Sequence, residues 1–285
     1  MRLTHTVTPS EDGRLIKDVL RGTMRVSAAL MRRAKTEGRI SLCGEERFVN
    51  FPVHTGDELV FEVPDDPCAV PAGGSAEVIY SDADFFALAK PAGMFTHPTG
   101  SVNTGTLLNA ALALDPGARA VNRLDRDTSG VVLFARSSWA AALGAKLRFD
   151  KEYRALVLGV PAEGEIDLPI AREAPHALRR IVVPDGAPSL TRISIESTDG
   201  RISLVRLTPV TGRTHQLRVH CLAVGCPILG DRLYRTEESD ALSRSLGIDT
   251  QALHARRLSF VHPVSGAQVD IFAEPEREFL KKCKI

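Results

Sequence analysis

A stretch rich in proline and glycine divides this chain, and the division limits the possible folds more than any other part of the sequence does. Residues 65–75 contain two prolines and two glycines and show neither helical nor strand periodicity. We therefore predict a small module over residues 1–63, a linker over 64–75 and a larger domain over 76–285. A chain of 285 residues is long enough for the larger part to bury a substantial core.

The small module has the pattern of two short helices and a small sheet. Helices are predicted at 14–20 and 27–35, with Gly38 ending the second, and strands at 39–42 and 58–63. Between Arg21 and Arg39 there are six basic residues and one acid. This arrangement resembles the alpha-L-type RNA-binding module of several ribosome-associated proteins, although Ser-Leu-Cys-Gly stands at 41–44 in place of the usual valine-asparagine-glycine turn. We predict that Arg32 and Arg33 contact RNA.

The larger domain alternates strands and helices irregularly, which predicts an α+β fold with a central mixed or antiparallel sheet flanked by helices. Strands are predicted at 76–80, 85–89, 131–135, 153–158, 203–207 and 269–272, and helices at 105–114, 138–149 and 214–224. No glycine-rich phosphate loop is present in the sequence, which disfavours chemistry that depends on ATP or a dinucleotide.

Composition indicates a folded, water-soluble protein. Hydrophobic residues make up 44% and charged residues 25%, and no apolar run approaches the ~18 residues of a membrane span. The first residues do not resemble a signal segment, so we expect a cytoplasmic location. Net charge is +1, yet residues 119–154 carry eight basic residues against four acids. This local excess fits a polyanion bound at a defined place, with solvated helix faces as the alternative.

The cysteines favour neither disulfides nor zinc. There are five, an odd number, and none forms a Cys-x-x-Cys pair. The group that lies closest to a ligand pattern is His215, His220, Cys221 and Cys226, but this stretch has the pattern of an amphipathic helix, and packing explains it better. We predict no metal and no cofactor.

A polar loop at 122–130, Asn-Arg-Leu-Asp-Arg-Asp-Thr-Ser-Gly, runs directly into the apolar strand 131–135. Loops on a rigid scaffold often carry catalytic groups, but an aspartate before Ser-Gly also commonly supports a turn. A kinase catalytic loop is excluded because the glycine-rich loop, paired lysine and Asp-Phe-Gly are missing. A glycosidase using Asp125 and Asp127 stays possible, although alternate residues of an extended chain point apart.

Six further segments allow a specific interpretation of the 122–130 loop. They are Lys-Pro-Ala-Gly at 90–93, Lys-Glu-Tyr-Arg-Ala at 151–155, Gly-Arg-Thr-His-Gln-Leu-Arg-Val-His at 212–220, the run 225–234, Leu-His-Ala at 253–255 and His-Pro at 262–263. In order and spacing they resemble the RluA family of RNA pseudouridine synthases over nearly all of residues 76–275. The resemblance implies the pseudouridine synthase catalytic fold and isomerisation of uridine in structured RNA without a cofactor.

The resemblance also implies roles for individual residues. Asp125 matches the carboxylate that acts on the ribose, and Arg218 matches the arginine that keeps this carboxylate ionised. Tyr153 matches the tyrosine that stacks on the target base, and Leu217 would close the opposite side of the base pocket. Arg123 matches the arginine that enters the vacated stack after the uridine is flipped out.

Five more positions are given roles, partly from the resemblance and partly from the chemistry of their side chains. Lys90 would position the loop or contact a phosphate, Thr128 would shape the turn beside the substrate, and Arg213 would contact RNA. Asn122 stands where most relatives carry histidine, and only histidine titrates near neutral pH. We therefore expect Asn122 to be structural and Asp127 to be replaceable.

The predicted function is the site-specific conversion of uridine to pseudouridine, with large-subunit ribosomal RNA as the favoured partner and the protein as a monomer. A transfer RNA target is one alternative. A noncatalytic RNA-binding or ribosome-assembly factor is another. A hydrolase that releases uracil would need the same aspartate but would have to admit water.

Overall fold

The computed structural model describes residues 2–24, 26, 31, 34, 38–63, 76–99 and 102–274. The chain divides into two compact units, Met1–Cys68 and Ala69–Ile285, with a boundary inside the predicted linker. Residues 64–75 lie outside the described residues. The identity of the first unit as an RNA-binding module stays a prediction.

The first unit contains a four-stranded antiparallel sheet in the order β1-β4-β2-β3. Its elements are β1 (Arg2–Thr6), a 3-10 turn (Pro9–Glu11), α1 (Ile16–Gly22), β2 (Arg39–Leu42), β3 (Glu45–Glu46) and β4 (Glu58–Glu62). Ile16, Leu20 and Phe61 are fully buried in its core. Most of the predicted helix 27–35, including Arg32 and Arg33, lies outside the described residues.

The second unit carries the larger sheet. Its elements are β5 (Glu77–Ser81), β6 (Phe85–Lys90), α2 (Leu107–Leu114), β7 (Arg119–Ala120), β8 (Ser129–Ala135), α3 (Ser138–Gly144), β9 (Asp150–Leu158), β10 (Gly164–Asp167), β11 (Ile170–Arg172), β12 (Arg180–Val182), β13 (Leu190–Thr198), β14 (Ile202–Pro209), α4 (Gln216–Ala223), α5 (Glu237–Ser245), β15 (Leu253–Val261) and β16 (Gln268–Phe272). The predicted α+β class and mixed sheet are confirmed.

Ten strands form this sheet in the order β10-β13-β14-β9-β15-β8-β6-β5, with β16 beside β15 and β7 beside β8. Strands β8 and β15 pair in parallel, whereas their other partners are antiparallel. Strand β8 reads as a continuous apolar run because both of its faces are covered. Leu133 packs in a cluster with Ala140 of α3, and Val132 packs in another with Leu107 of α2.

The register of the central strands determines where the 122–130 loop ends. Gly130 of β8 lies opposite Ala255 of β15, and Ala255 in turn lies opposite Tyr153 of β9. A Cβ atom on Gly130, whose φ is +118°, would lie 2.1 Å from the Ala255 carbonyl oxygen. Only glycine therefore permits this close approach, which brings the end of the 122–130 loop beside the strand of Tyr153.

Several predicted boundaries are wrong. The helix predicted at 138–149 ends at Gly144, where the chain passes close to the side chain of Val121 and a Cβ would lie 2.9 Å from Val121 Cγ1. The helix predicted at 214–224 begins only at Gln216, because His215 has the left-handed backbone conformation, with φ of +59°. The strands β1, β3, β7, β10 to β13 and β15 and the helix α5 were not predicted.

Among the described residues, none of the helices combines the length and apolar character that crossing a membrane requires.

Candidate active site

The 122–130 loop is held by side chains from several elements. The Asn122 side chain donates to the Val131 carbonyl (3.3 Å) and accepts from the Leu133 amide (2.7 Å), so it fastens the loop to β8. The Thr96 hydroxyl donates to the Leu124 carbonyl at 2.9 Å. The structural role expected for Asn122 agrees with these contacts.

Lys90 lies beneath the loop rather than facing RNA. Its ammonium group donates to the carbonyls of Pro91 (2.9 Å), Met94 (2.6 Å) and Arg126 (2.7 Å), and the residue is only 2% exposed. An ammonium group enclosed in this way cannot reach a phosphate. The predicted phosphate contact is therefore wrong, whereas positioning of the loop agrees with the geometry.

Thr128 is likewise buried, at 2% exposure, and its hydroxyl accepts a hydrogen bond from the Gln251 amide. Beside it, the Ser129 hydroxyl lies 2.9 Å from His254 Nδ1. Both contacts join the start of β8 to the segment at β15. These contacts agree with a role of Thr128 in shaping the turn, and because Thr128 also lines the cavity, its contact with substrate stays a prediction.

The centre of the site is a carboxylate–guanidinium–carboxylate arrangement. Arg218 of α4 donates from Nη1 to Asp125 Oδ2 (2.9 Å), and it donates from Nε and Nη2 to the two oxygens of Asp231 (2.6 and 2.8 Å). The Asp231 side chain is fully buried, while that of Asp125 is 32% exposed. Burial alone would lower the pKa of Arg218, but the hydrogen bonds and charges of Asp231 and Asp125 outweigh it and raise the pKa.

Asp231 therefore orients the Arg218 side chain. A bidentate carboxylate fixes the plane of the guanidinium, so that its third edge faces Asp125. The backbone amides of Leu233 and Tyr234 donate to Asp231 Oδ1 at 2.9 and 3.0 Å and hold the carboxylate in place. The arrangement presents Asp125 as a partly exposed carboxylate beside a buried cation that Asp231 holds by two hydrogen bonds.

His215 and Tyr234 lie next to this arrangement. His215 Nε2 is 3.7 Å from Asp125 Oδ2, and His215 Nδ1 is 2.8 Å from the Tyr234 hydroxyl oxygen. The Arg218 guanidinium lies 4.8 Å from the centre of the Tyr234 ring, within the range of a cation–π contact. Burial lowers the pKa of His215, the Asp125 charge opposes this shift, and the Arg218 charge adds to it.

Tyr153 and Leu217 line the same cavity as Asp125 and Arg218, a space of about 770 Å³. Tyr153 is half-buried and packs against the apolar cluster that contains Leu217, whose own exposure is 6%. Burial raises the pKa of the Tyr153 phenol, and the nearby Asp125 charge raises it further. A cavity of this size, with an aromatic group, an aliphatic group and a carboxylate, can hold a nucleoside.

Arginines stand at the mouth of the cavity. Arg123, Arg126 and Arg213 all line it and are exposed. Arg126 donates to the Gly93 carbonyl (3.3 Å) and Arg213 to the Pro188 carbonyl (3.2 Å), so both side chains are partly tied to the protein. Exposed guanidinium groups are typical of RNA contacts, and the roles of Arg123 in the vacated stack and of Arg213 at the RNA stay predictions. Arg32 and Arg33 lie outside the described residues.

Sequence reasoning named Asp125, Arg218, Tyr153 and Leu217, which the structure brings to one cavity. It missed the contributions of Asp231 and Tyr234, and it considered His215 only as a metal ligand. A signal was present, since Asp231 and Tyr234 belong to the segment 225–234 that carried the family resemblance. What could not be recognised was which residue the Asp231 carboxylate would pair with.

The cysteines and histidines considered as metal ligands serve other purposes. Cys221 is fully buried and packs with Cys226 in an apolar cluster, and burial raises the pKa of both thiols. His220 Nδ1 lies 2.9 Å from the Thr191 hydroxyl and its Nε2 lies 2.9 Å from the Leu168 carbonyl. These contacts favour packing over metal binding.

Another group with the composition of a metal site consists of Asp82, Asp84 and His262. The carboxylate of Asp82 already accepts from the Tyr80 hydroxyl and from backbone amides, and His262 Nδ1 accepts from the Ser265 amide at 3.2 Å. An acceptor at Nδ1 places the proton of a neutral imidazole on Nε2, the atom that faces the carboxylates. Because the Asp82 carboxylate and His262 Nδ1 already have hydrogen-bond partners, these contacts favour a hydrogen-bonded turn over a metal site.

Comparison with known proteins identifies the same region. The family model described as RNA pseudouridylate synthase matches residues 84–223. A relative named ribosomal large subunit pseudouridine synthase D, from Zymomonas mobilis, is 36% identical over 70% of this chain and 68% of its own length. A relative named dual-specificity RNA pseudouridine synthase RluA, from Vibrio parahaemolyticus, is 36% identical over 73% of this chain and 83% of its own length.

The fold comparison agrees with the sequence comparison. The solved structure of the human protein named RNA pseudouridylate synthase domain containing 1 superposes with a TM-score of 0.59 and 28% identity. The match covers 72% of this chain and 86% of the human chain.

Proposed function

Because the chain belongs to the RluA family of RNA pseudouridine synthases, we propose that it isomerises uridine at defined positions of large-subunit ribosomal RNA, with Asp125 as the reacting carboxylate. The chain is an RNA pseudouridine synthase. The RNA target and the mechanism are the proposal. The observation that carries the mechanism is the Asp125 carboxylate, held at 2.9 Å by a buried arginine inside a cavity large enough for a nucleoside.

The reaction is an isomerisation, so its atoms balance within the substrate. The bond from uracil N1 to ribose C1′ breaks, the base turns, and a bond from C5 to C1′ forms. C5 loses a proton and N1 gains one. Asp125 acts on the ribose, either as a nucleophile at C1′ or as a base, and Arg218 keeps its carboxylate ionised when RNA excludes water. Tyr153 and Leu217 hold the two faces of the base.

A uridine in folded RNA reaches this cavity by leaving its stack, which costs a few kcal/mol. Arg123 is exposed at the cavity mouth, where its planar guanidinium can occupy the vacated position. Arg126 and Arg213 add positive charge for the flanking phosphates. Together these arginines support an RNA of defined local structure as the substrate.

Ribosomal RNA is favoured over transfer RNA by the name of the Zymomonas relative, which refers to the large ribosomal subunit. The basic part of the first unit supports the same choice, because a second RNA-binding module helps to select a site within a large folded RNA. A transfer RNA target is the second candidate, and it is resolved by the same experiment.

The test is a map of pseudouridine in ribosomal and transfer RNA from host cells that carry wild-type, Asp125→Asn or Asp127→Asn protein. Asp127 is a matched control, because it lies in the same loop and pairs with Arg126 at 3.6 Å. We expect at least one position of large-subunit ribosomal RNA to lose its modification with Asp125→Asn and to keep it with Asp127→Asn.

Other outcomes point to the alternatives. Loss confined to transfer RNA would replace the substrate, and no loss at any position would reject Asp125 as the reacting group. Release of free uracil by purified protein, without pseudouridine, would indicate a hydrolase.

A further inference from the structure

We propose that His215 is a second positioning residue for Asp125, held by Tyr234 as the tautomer whose Nε2–H faces the carboxylate. Arg218 and His215 then both act on Oδ2, which leaves Oδ1 as the oxygen that meets the ribose. The inference rests on the proposed role of Asp125 as the reacting carboxylate.

The two side chains approach one oxygen of Asp125. Arg218 Nη1 is 2.9 Å from Oδ2 and His215 Nε2 is 3.7 Å from the same atom. Within the part of the chain that the structure describes, Oδ1 accepts no hydrogen bond. A small shift of the carboxylate on binding substrate would bring Oδ2 within hydrogen-bond distance of both donors. Active-site hydrogen bonds are commonly longer before substrate is bound.

The backbone places His215 at this point by an unusual conformation. His215 precedes α4 with φ of +59° and ψ of 14°, a left-handed geometry that is unfavourable for a residue with a Cβ. The 215 side chain is 15% exposed, so the imidazole is largely enclosed beside Asp125. Strain of this kind persists where the surrounding structure holds the residue in place.

Hydrogen bonds to Tyr234 determine the tautomer of His215. The Tyr234 hydroxyl oxygen accepts from the backbone amide of Arg180 at 2.7 Å and lies 2.8 Å from His215 Nδ1. Tyr234 is 1% exposed, so its own hydroxyl proton needs a partner inside the protein. Donation of that proton to Nδ1 satisfies both groups, and the imidazole proton then resides on Nε2, facing Asp125.

Burial favours the neutral imidazole of His215. It lowers the pKa of His215, the charges of Asp125 and Asp231 oppose this shift, and the charges of Arg218 and Arg180 add to it. A neutral N–H orients the carboxylate without offering an acidic proton that would neutralise it. In this proposal the positive charge of Arg218 keeps Asp125 ionised, and the neutral N–H of His215 orients the Asp125 carboxylate.

Tyr234 connects the two donors physically. Its ring lies under the Arg218 guanidinium at 4.8 Å, and its hydroxyl binds His215 Nδ1 at 2.8 Å. Tyr234→Phe keeps the ring beneath Arg218 and removes only the hydroxyl. This variant therefore tests the effect of the His215 tautomer while the ring contact with Arg218 is kept.

The test compares His215→Gln with His215→Leu. Neither leucine nor glutamine is branched at Cβ, so the backbone strain at position 215 is matched in the two variants. Only glutamine carries an amide N–H near the position of Nε2. Single-turnover rates and Kd are measured with unmodified transcripts of large-subunit ribosomal RNA. We expect Leu to slow the reaction at least about tenfold with Kd changed less than about twofold, and Gln to recover most of that loss.

A double-mutant cycle provides the second readout. Tyr234→Phe should slow the wild-type protein severalfold but have little further effect in the His215→Gln background, because an amide has no tautomer to lose. Additive effects of the two changes, or equal rates for Gln and Leu, would overturn the inference.

The controls separate this inference from the proposed function. If Asp125→Asn is inactive while His215→Leu reacts like wild type, only the role of His215 is rejected. If Asp125→Asn keeps wild-type activity, the proposed mechanism itself is rejected. If His215→Leu fails to fold, the double-mutant cycle of Tyr234→Phe and His215→Gln still tests the role of His215. These two variants keep an aromatic ring at position 234 and a polar side chain at position 215.

Discussion

The buried pair between Arg218 and Asp231 leads to the most direct prediction about stability. Asp231→Asn keeps the shape of the side chain but removes the charge that faces Nε and Nη2 of Arg218, at 2.6 and 2.8 Å. The arginine side chain is only 10% exposed, so water cannot replace the lost partner. Breaking a buried pair from one side costs about 3 to 5 kcal/mol. We expect about 3 kcal/mol, since Asp125 still pairs with Arg218.

The measurement is urea unfolding followed by tryptophan fluorescence. The chain has one tryptophan, Trp139, in the same compact unit as Asp231, so the signal reports the unfolding of that unit. With a urea dependence of about 2.5 kcal/mol per molar, a loss of about 3 kcal/mol lowers the midpoint by about 1.2 M. Isomerisation should also slow about tenfold or more, because Arg218 loses the partner that fixes its orientation.

Asp270→Asn is the matched control. Arg257 also donates to Asp270 from Nε and Nη2, but the Asp270 side chain is 37% exposed. An exposed pair contributes about 1 kcal/mol or less, which shifts the midpoint by no more than about 0.4 M. Equal midpoints for Asp231→Asn and Asp270→Asn would refute the reasoning that burial makes the Arg218 pair structurally decisive.

Four other predictions follow from single residues. Gly130→Ala should abolish soluble expression or lower the melting temperature by more than about 10 °C, because its Cβ would lie 2.1 Å from a carbonyl oxygen of Ala255; an unchanged melting curve would contradict the β8–β15 register. Lys90→Met should destabilise the protein by about 3 kcal/mol in urea unfolding, since three carbonyls lose their donor. Asn122→Ala should lower stability by about 1 to 2 kcal/mol without changing the shape of the pH–rate profile; loss of a histidine-like inflection would show a titrating role. Hydrogen bonds lower the pKa of buried Glu11 from 4.5 to about 2, so the ionised carboxylate stabilises the fold. Wild type should therefore be more stable than Glu11→Gln above pH 4.5, and this difference in the free energy of unfolding should disappear as pH falls through about 2. Hydrogen exchange of the β4 amides measures the difference.

Some of the fold follows from signals that act between neighbours along the chain. The uninterrupted apolar run at 131–135 predicted a strand, and the structure shows that strand covered on both faces. The helix at 105–114 was predicted by its periodicity, and a Thr106 hydroxyl that accepts from the Asn109 amide begins it two residues later. Such boundaries depend on capping contacts, and a pattern of apolar residues locates them only approximately.

The groups available for chemistry could be read from the amino-acid sequence: a carboxylate in a polar loop before an apolar strand, and an arginine and a tyrosine in segments of recognisable spacing. How these groups are used depends on the folded chain. Asp125 and Arg218 are 93 residues apart in the chain and meet through the sheet register and the position of α4. The same packing turned Lys90 inward and gave Arg218 its second carboxylate in Asp231. Local sequence patterns report short-range preferences, whereas a buried charge acquires its partner only when distant elements pack together and exclude water.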